Sequence, residues 1–201
     1  MPVNDRDHGF TLIELLLAVA ILGIISAPLA GVVLAYVRTS DTTAARLTES
    51  AEAQRAAAYF GDDVAALGVR SATSPYALQQ SVDTTGSASW PYPCASAGTT
   101  PLVRFAWDFY PGSSGSVSQM RVAYVLAAGG TRLQRLLCLD SAVPQSISNL
   151  TGDLDPATPP TVGCSPACTT PSTMTMTLTL KATGNGATPY AVTLYGQRRQ
   201  T

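Results

Sequence analysis

The chain has 201 residues, in which 12 lysines and arginines stand against 13 aspartates and glutamates, for a formal net charge of −1 at pH 7. So close a balance gives no bulk attraction to nucleic acid or anionic lipid, which excludes partners held by net charge alone. Only 12% of residues are charged. Threonine, serine, alanine, glycine and proline abound, as in extracytoplasmic surface proteins that stay soluble through uncharged polar groups.

In residues 1–9, Arg6 is offset by Asp5 and Asp7, so the positive-inside rule does not orient the chain. Next comes Gly9-Phe10-Thr11-Leu12-Ile13-Glu14, and then residues 15–37 without one charged side chain. As a helix this run is roughly 35 Å long, enough to cross a bilayer core of about 30 Å. Glu14 is a lone carboxylate at the edge of that helix. An ionisable group in such a place is expensive and is a functional candidate by default. A secretory signal peptide has a shorter apolar core, followed by a small-residue cleavage site. An ordinary signal anchor explains the hydrophobicity but not the hexapeptide.

That hexapeptide resembles the processing site of type IV prepilins and type II secretion pseudopilins. The resemblance covers residues 9 to about 37. It implies that a membrane prepilin peptidase cuts after Gly9 and N-methylates Phe10. It also makes Glu14 the fifth mature residue and places the N-terminus in the cytoplasm. The apolar half-helix would first anchor the subunit in the inner membrane and later pack into the core of a filament. The chemistry is consistent with this. Cleavage creates a charged amine on Phe10, and an unpaired buried charge is costly while a paired one is tolerated. Glu14 lies about one turn from that amine. In a staggered stack it can meet the amine of a neighbouring subunit and so set the axial register of assembly.

Within the apolar run, Pro28 lacks an N–H and clashes with the preceding turn, which predicts a kink or local melting over residues 24–28. Gly23 and Gly31 allow close helix contact. Residues 39–69 stay helical but become amphipathic. Leu47, Ala51 and Ala58, then Phe60, Val64 and Leu67, recur at helical spacing, while Arg46, Glu49, Glu52 and Arg55 take the other face. Gly68 supplies a stop. The helix is thus expected over residues 10–67, its first half for membrane and filament and its second half a stripe for a globular head.

The head reads as β. Residues 71–100 form a long connection. Strands are expected at 102–110, 119–127, 131–139, 174–181 and 190–195, with turns at 111–116, 128–130 and 184–186. Residues 174–181 alternate Met and Leu against Thr, the pattern of a strand with one buried face. Residues 141–172 contain six prolines and are expected to form neither strand nor helix. The sum is an α+β fold, a helix on a mainly antiparallel sheet, the arrangement pilins share. The domain reading is 1–9 leader, 10–37 transmembrane and filament-core half-helix, 38–69 amphipathic half-helix and 70–201 extracytoplasmic head.

The cysteines are Cys94, Cys138, Cys164 and Cys168. Exported, they would face an oxidising space and form two disulfides, for which three pairings exist. Cys94–Cys138 with Cys164–Cys168 is favoured, because the second pair encloses only Ser-Pro-Ala and closes locally. Zinc would need four converging thiolates, and only Cys164 and Cys168 have ligand-like spacing. The one histidine, His8, leaves with the leader, so no imidazole remains for Ser-His or Cys-His catalysis. No catalytic residue, metal or cofactor is expected. Asp153 and Asp155 read as a solvated turn rather than a calcium loop, and Asp62-Asp63 as a solvated helix face. Arg121, Arg132, Arg135, Arg198 and Arg199 read as scattered solvated cations rather than a DNA-binding patch. Trp90, Tyr92 and Trp107 read as core or loop anchors.

The expected function is that of a structural subunit, a minor pilin or pseudopilin. It would be a single-pass inner-membrane protein before assembly and part of a pilus or pseudopilus after it. The implied partners are the prepilin peptidase, other pilins or pseudopilins, the inner-membrane assembly platform and membrane lipid. Nothing in the sequence supports DNA or a surface ligand. The competing reading is a membrane-anchored extracytoplasmic binding module that never polymerises.

Overall fold

The computed structural model describes residues 11–68, 81–109, 118–181 and 189–199. The cleavage position expected at Gly9–Phe10, the turns expected at 111–116 and 184–186, and residues 71–80 of the long connection lie outside them. The chain forms two compact units, residues 1–45 and 46–201. One helix, α1 (Leu12–Ala66, 55 residues), contributes to both.

In the first unit α1 leaves its large apolar side chains exposed, from Leu12 to Val37. An 18-residue window reaches a mean hydropathy of 2.5 with none of it buried, so the helix is long and apolar enough to cross a membrane. The local melting expected at residues 24–28 does not occur. The helix runs on through Pro28, and just before it the Ser26 hydroxyl donates to the Leu22 carbonyl at 2.6 Å. Thr39 and Thr43 bond back in the same way, to the carbonyls of Ala35 and Thr39. Such back-bonds let hydroxyls sit in a helix without competing for other partners.

The second unit is the β-rich head. Strands β1 (Val82–Asp83), β2 (Thr100–Phe109), β3 (Ser118–Ala127), β4 (Arg132–Leu139) and β5 (Ser146–Thr151) form an antiparallel sheet in chain order. Strands β6 (Thr161–Ser165), β7 (Thr173–Leu180) and β8 (Tyr190–Gln197) form a second one. The fold is therefore α+β and pilin-like, with two sheets where the sequence suggests one. Residues 153–155 join them: Asp155 N–H donates to the Thr179 carbonyl at 2.9 Å, Lys181 N–H to Asp153 at 2.7 Å, and Leu154 N–H to Thr131 at 2.9 Å.

The proline-rich stretch 141–172 corrects a second expectation, because it contains both β5 and β6. Pro144 and Pro156 flank β5, and Pro160 and Pro166 flank β6. A proline just outside a strand removes no ladder hydrogen bond, so the prolines bound these strands rather than forbid them.

The core forms where α1 meets the inward faces of both sheets. Phe60 packs edge-on to Tyr124 at 5.6 Å between ring centroids and tilted on Phe105 at 6.1 Å, geometries that aromatic pairs prefer. Around them lie Val64, Leu133, Met174, Met176 and Leu194, all fully buried. The buried stripe of α1 is Ala56, Phe60, Asp63 and Val64, continued by Leu67. Leu47, Ala51 and Ala58, expected on it, are exposed. On the opposite face of the five-stranded sheet a smaller cluster packs Ala123, Val125 and Leu136 against Cys94 and Cys138. Trp90 and Tyr92 cover Ala106 as the loop anchors they were read to be.

Gly196 sets how closely α1 approaches β8. A Cβ there would stand 2.5 Å from Val64 Cβ and 2.7 Å from Val64 Cγ2. Gly196→Ala is expected to destabilise the head by about 1–3 kcal/mol, the range for overpacking. Val64→Ala should not rescue it, because the nearest atom is the Cβ that alanine keeps. Gly61→Ala is the control. Its Cβ would meet only the Tyr195 carbonyl oxygen, at 3.7 Å, and replacing a mid-helix glycine should stabilise by roughly 0.5–1 kcal/mol. Opposite shifts of the unfolding midpoint are the expected result, and equal shifts would refute the close approach.

Candidate functional site

The segment that begins α1 is the strongest candidate site. Thr11 precedes the first helical residue, and its hydroxyl accepts from the Glu14 N–H at 3.4 Å. Glu14 Oε2 reaches back, accepting from the Thr11 N–H at 3.4 Å and from its hydroxyl at 3.2 Å. This reciprocal pair is a capping box, which satisfies backbone donors that the first turn leaves free. Glu14 therefore has a local partner that the sequence reading missed. Its signal in the sequence is Thr-x-x-Glu ahead of an apolar run. The helix after it carries no further carboxylate until Asp41.

The other candidate residues lie in the head. Cys94 and Cys138 form a disulfide with Cα atoms 5.8 Å apart, and Cys164 and Cys168 a second at 5.0 Å. All four cysteines are paired, so no thiolate is left for zinc. Among the described residues no group of three or more His, Cys, Asp or Glu side chains converges on a metal position. The Asp155 carboxylate is used locally, accepting from the Ala157 N–H at 3.0 Å and the Thr158 hydroxyl at 3.1 Å, as a turn requires.

Asp63 departs from its reading as a solvated residue. It is buried, at 4% exposure. Arg135 of β4 grips it with two bonds, Nε to Oδ2 at 2.7 Å and Nη2 to Oδ1 at 2.6 Å. The Tyr124 hydroxyl of β3 donates to the same Oδ2 at 2.6 Å. Burial, with the Asp63 charge added, pushes the Tyr124 hydroxyl well above its ordinary range. Burial works against the Arg135 charge, but the bonds to Asp63 outweigh it and hold the guanidinium more firmly protonated. The cation also lies 4.9 Å from the centre of the Tyr59 ring. Arg135 is thus committed to a latch between α1 and the sheet, and Arg121 bonds Gln119 and the Pro93 carbonyl. Neither is a free cation for nucleic acid.

A second buried pair secures the short strand β1. Arg104 donates through Nε and Nη2 to Asp83 Oδ2 at 2.8 and 2.5 Å, and Nη2 also donates to the Ser87 carbonyl. Burial would raise the Asp83 pKa, but bonds from Thr85 and Arg104 outweigh it and hold the carboxyl below its usual range. A carboxylate whose folded pKa is depressed contributes stability above its unfolded pKa and loses it as the pH falls through the folded value. Acid denaturation of wild type and Asp83→Asn should show this. The gap between them is expected to be widest near neutral pH and to close on acidification below the ordinary carboxylate range. A gap independent of pH would refute the assignment.

Comparison with known families finds the prokaryotic N-terminal methylation motif at residues 4–30. The chain carries the N-terminal motif of type IV prepilin/pseudopilin-type proteins. The match spans the hexapeptide, the capping box and the first turns of the exposed apolar helix. Comparisons with curated proteins and with solved structures find no match. A prepilin motif of this kind implies processing by a prepilin peptidase and assembly with other pilins. Together with the apolar helix it fits a membrane-anchored protein that is assembled into a pilus. The family it marks is structural rather than enzymatic.

Proposed function

We propose that this prepilin-type chain is a minor pilin or pseudopilin, the structural subunit of a type IV pilus-like or type II secretion filament. It is cut after Gly9 and methylated on Phe10. Residues 10–37 hold it in the inner membrane, with the head on the extracytoplasmic side, until the assembly platform moves it into the filament. Two disulfides suit that oxidising side. The observation that carries the reading is the methylation motif laid over a helix whose large apolar side chains are exposed from Leu12 to Val37. That much apolar surface needs lipid or other helices around it.

The decisive experiment replaces Gly9 with valine in cells that make the filament. The variant is expected to keep its first nine residues, remain in the membrane fraction and be absent from sheared filaments. Wild type should yield an N-terminal methyl-phenylalanine on sequencing. A Gly9→Val protein that still enters filaments, or a wild type that retains its leader in the cell, would overturn the proposal and leave the non-polymerising binding module.

A further inference from the structure

The two disulfides sit in opposite surroundings. Cys94 and Cys138 are 1% and 0% exposed and pack among Ala123, Val125 and Leu136. Cys164 and Cys168 are half-buried, and Ser165, Pro166 and Ala167 between them are exposed. Their bond clips the connection from β6 to β7. A thiolate must reach a sulfur to exchange with it, so access decides which disulfide reacts. A sealed bond reacts only after its surroundings open.

The clip also lies at a junction. The Ser172 N–H and hydroxyl both donate to the Ser165 carbonyl, at 2.8 and 2.9 Å. The Ser172 carbonyl accepts from the Arg198 N–H at 2.9 Å, and the Arg199 N–H donates to the Ala65 carbonyl at 3.4 Å. Cys164 itself packs against the main core. The clipped turn therefore holds the segment after β8, and that segment bonds the last turn of α1.

We propose that Cys164–Cys168 is a redox-sensitive clip that sets how firmly the segment after β8 is held to α1. The reductant is a dithiol, the class to which exported thiol–disulfide oxidoreductases belong. Its thiolate attacks one sulfur of the clip, the S–S bond breaks and a mixed disulfide forms. The second thiol of the reductant attacks that mixed disulfide and becomes oxidised with the first. Two electrons and two protons pass to the clip, which is left as two thiols. The opened turn regains backbone freedom, and the bonds from Ser172 to Ser165 weaken with it. Cys94–Cys138 stays closed. The two thiols remain in one short turn, so closing the clip again costs little loop entropy.

The test treats the full chain in detergent with dithiothreitol and no denaturant. Free thiols are trapped with iodoacetamide and located by peptide mass spectrometry. Cys164 and Cys168 are expected to be alkylated at least about tenfold faster than Cys94 and Cys138. In the trapped protein the Ser172 and Arg198 amides should exchange hydrogen about tenfold faster, while those of β3 and β4 keep their protection. Cys164→Ser combined with Cys168→Ser should show the same exchange pattern without reductant. The trapped protein is made from folded wild type, so the result does not depend on the variant folding. Equal alkylation of all four cysteines, or faster alkylation of Cys94 and Cys138, would overturn the proposal. So would an Arg198 amide that keeps its oxidised rate once the clip is open, or loosening in the alkylated protein that a folded serine variant lacks. Filament assembly is not needed for these measurements, so their outcome is separate from that of the processing experiment.

Discussion

Asp63→Ala is expected to destabilise the head by about 3–5 kcal/mol, the cost of removing one partner from a buried ion pair. The substitution deletes three hydrogen bonds and leaves the Arg135 guanidinium and the Tyr124 hydroxyl facing an apolar methyl. Neither orphan has an easy escape. Tyr124 is fully buried and the Arg135 side chain is 11% exposed. For a head of this size the loss corresponds to a fall of roughly 6–20 °C in Tm. Asp62, the adjacent and exposed residue, is the control, and Asp62→Ala should stay within about 0.5 kcal/mol of wild type. Replacing the whole latch by apolar groups of similar shape (Asp63→Leu, Arg135→Met and Tyr124→Phe together) should recover most of the loss, because no charge then lacks a partner. Urea unfolding of the four proteins decides the matter. An Asp63→Ala protein as stable as Asp62→Ala would mean that the latch carries no net stability.

The second large effect concerns Glu14, which has two possible roles of different size. As a cap it acts within its own chain, and losing a cap costs about 0.5–2 kcal/mol. As the counter-charge of a neighbour's Phe10 amine in a filament core, its loss leaves a buried ammonium unpaired, at several kcal/mol. Two substitutions separate the roles. Glutamine can still reach back to the Thr11 N–H and complete a capping box, but it carries no charge. Alanine does neither. If charge pairing governs assembly, Glu14→Gln and Glu14→Ala should both remain in the membrane and both be absent from filaments. If the cap governs, Glu14→Gln should assemble like wild type and Glu14→Ala poorly. We expect the first pattern, since a cap's contribution is too small to block assembly. Filament incorporation of Glu14→Gln at wild-type level would remove the register role.

Local pattern was enough for much of this protein. The prepilin motif, the apolar span and the helical course of α1 follow from neighbours along the chain: a hexapeptide, an uncharged run and a 3.6-residue repeat. The strands β2, β3, β4, β7 and β8 also lie where period-two alternation puts them, to within a few residues. Pairing across distance was not legible. Asp62 and Asp63 look alike in the sequence, and only the approach of β3 and β4 to one side of α1 buries the second and leaves the first in water. The buried stripe begins at Ala56 rather than Leu47, which helical spacing alone does not reveal. Strands β5 and β6 were hidden because a count of prolines does not say whether they interrupt a strand or bound it. Gly196 gives no sign in the sequence that it touches Val64. Periodicity and motif are properties of a few consecutive residues, so the sequence alone determined the apolar span, its methylation motif and most strands. Which charges are buried, and how closely the helix meets the sheets, depends on residues far apart in the chain, such as Val64 and Gly196, and only the tertiary structure decided it.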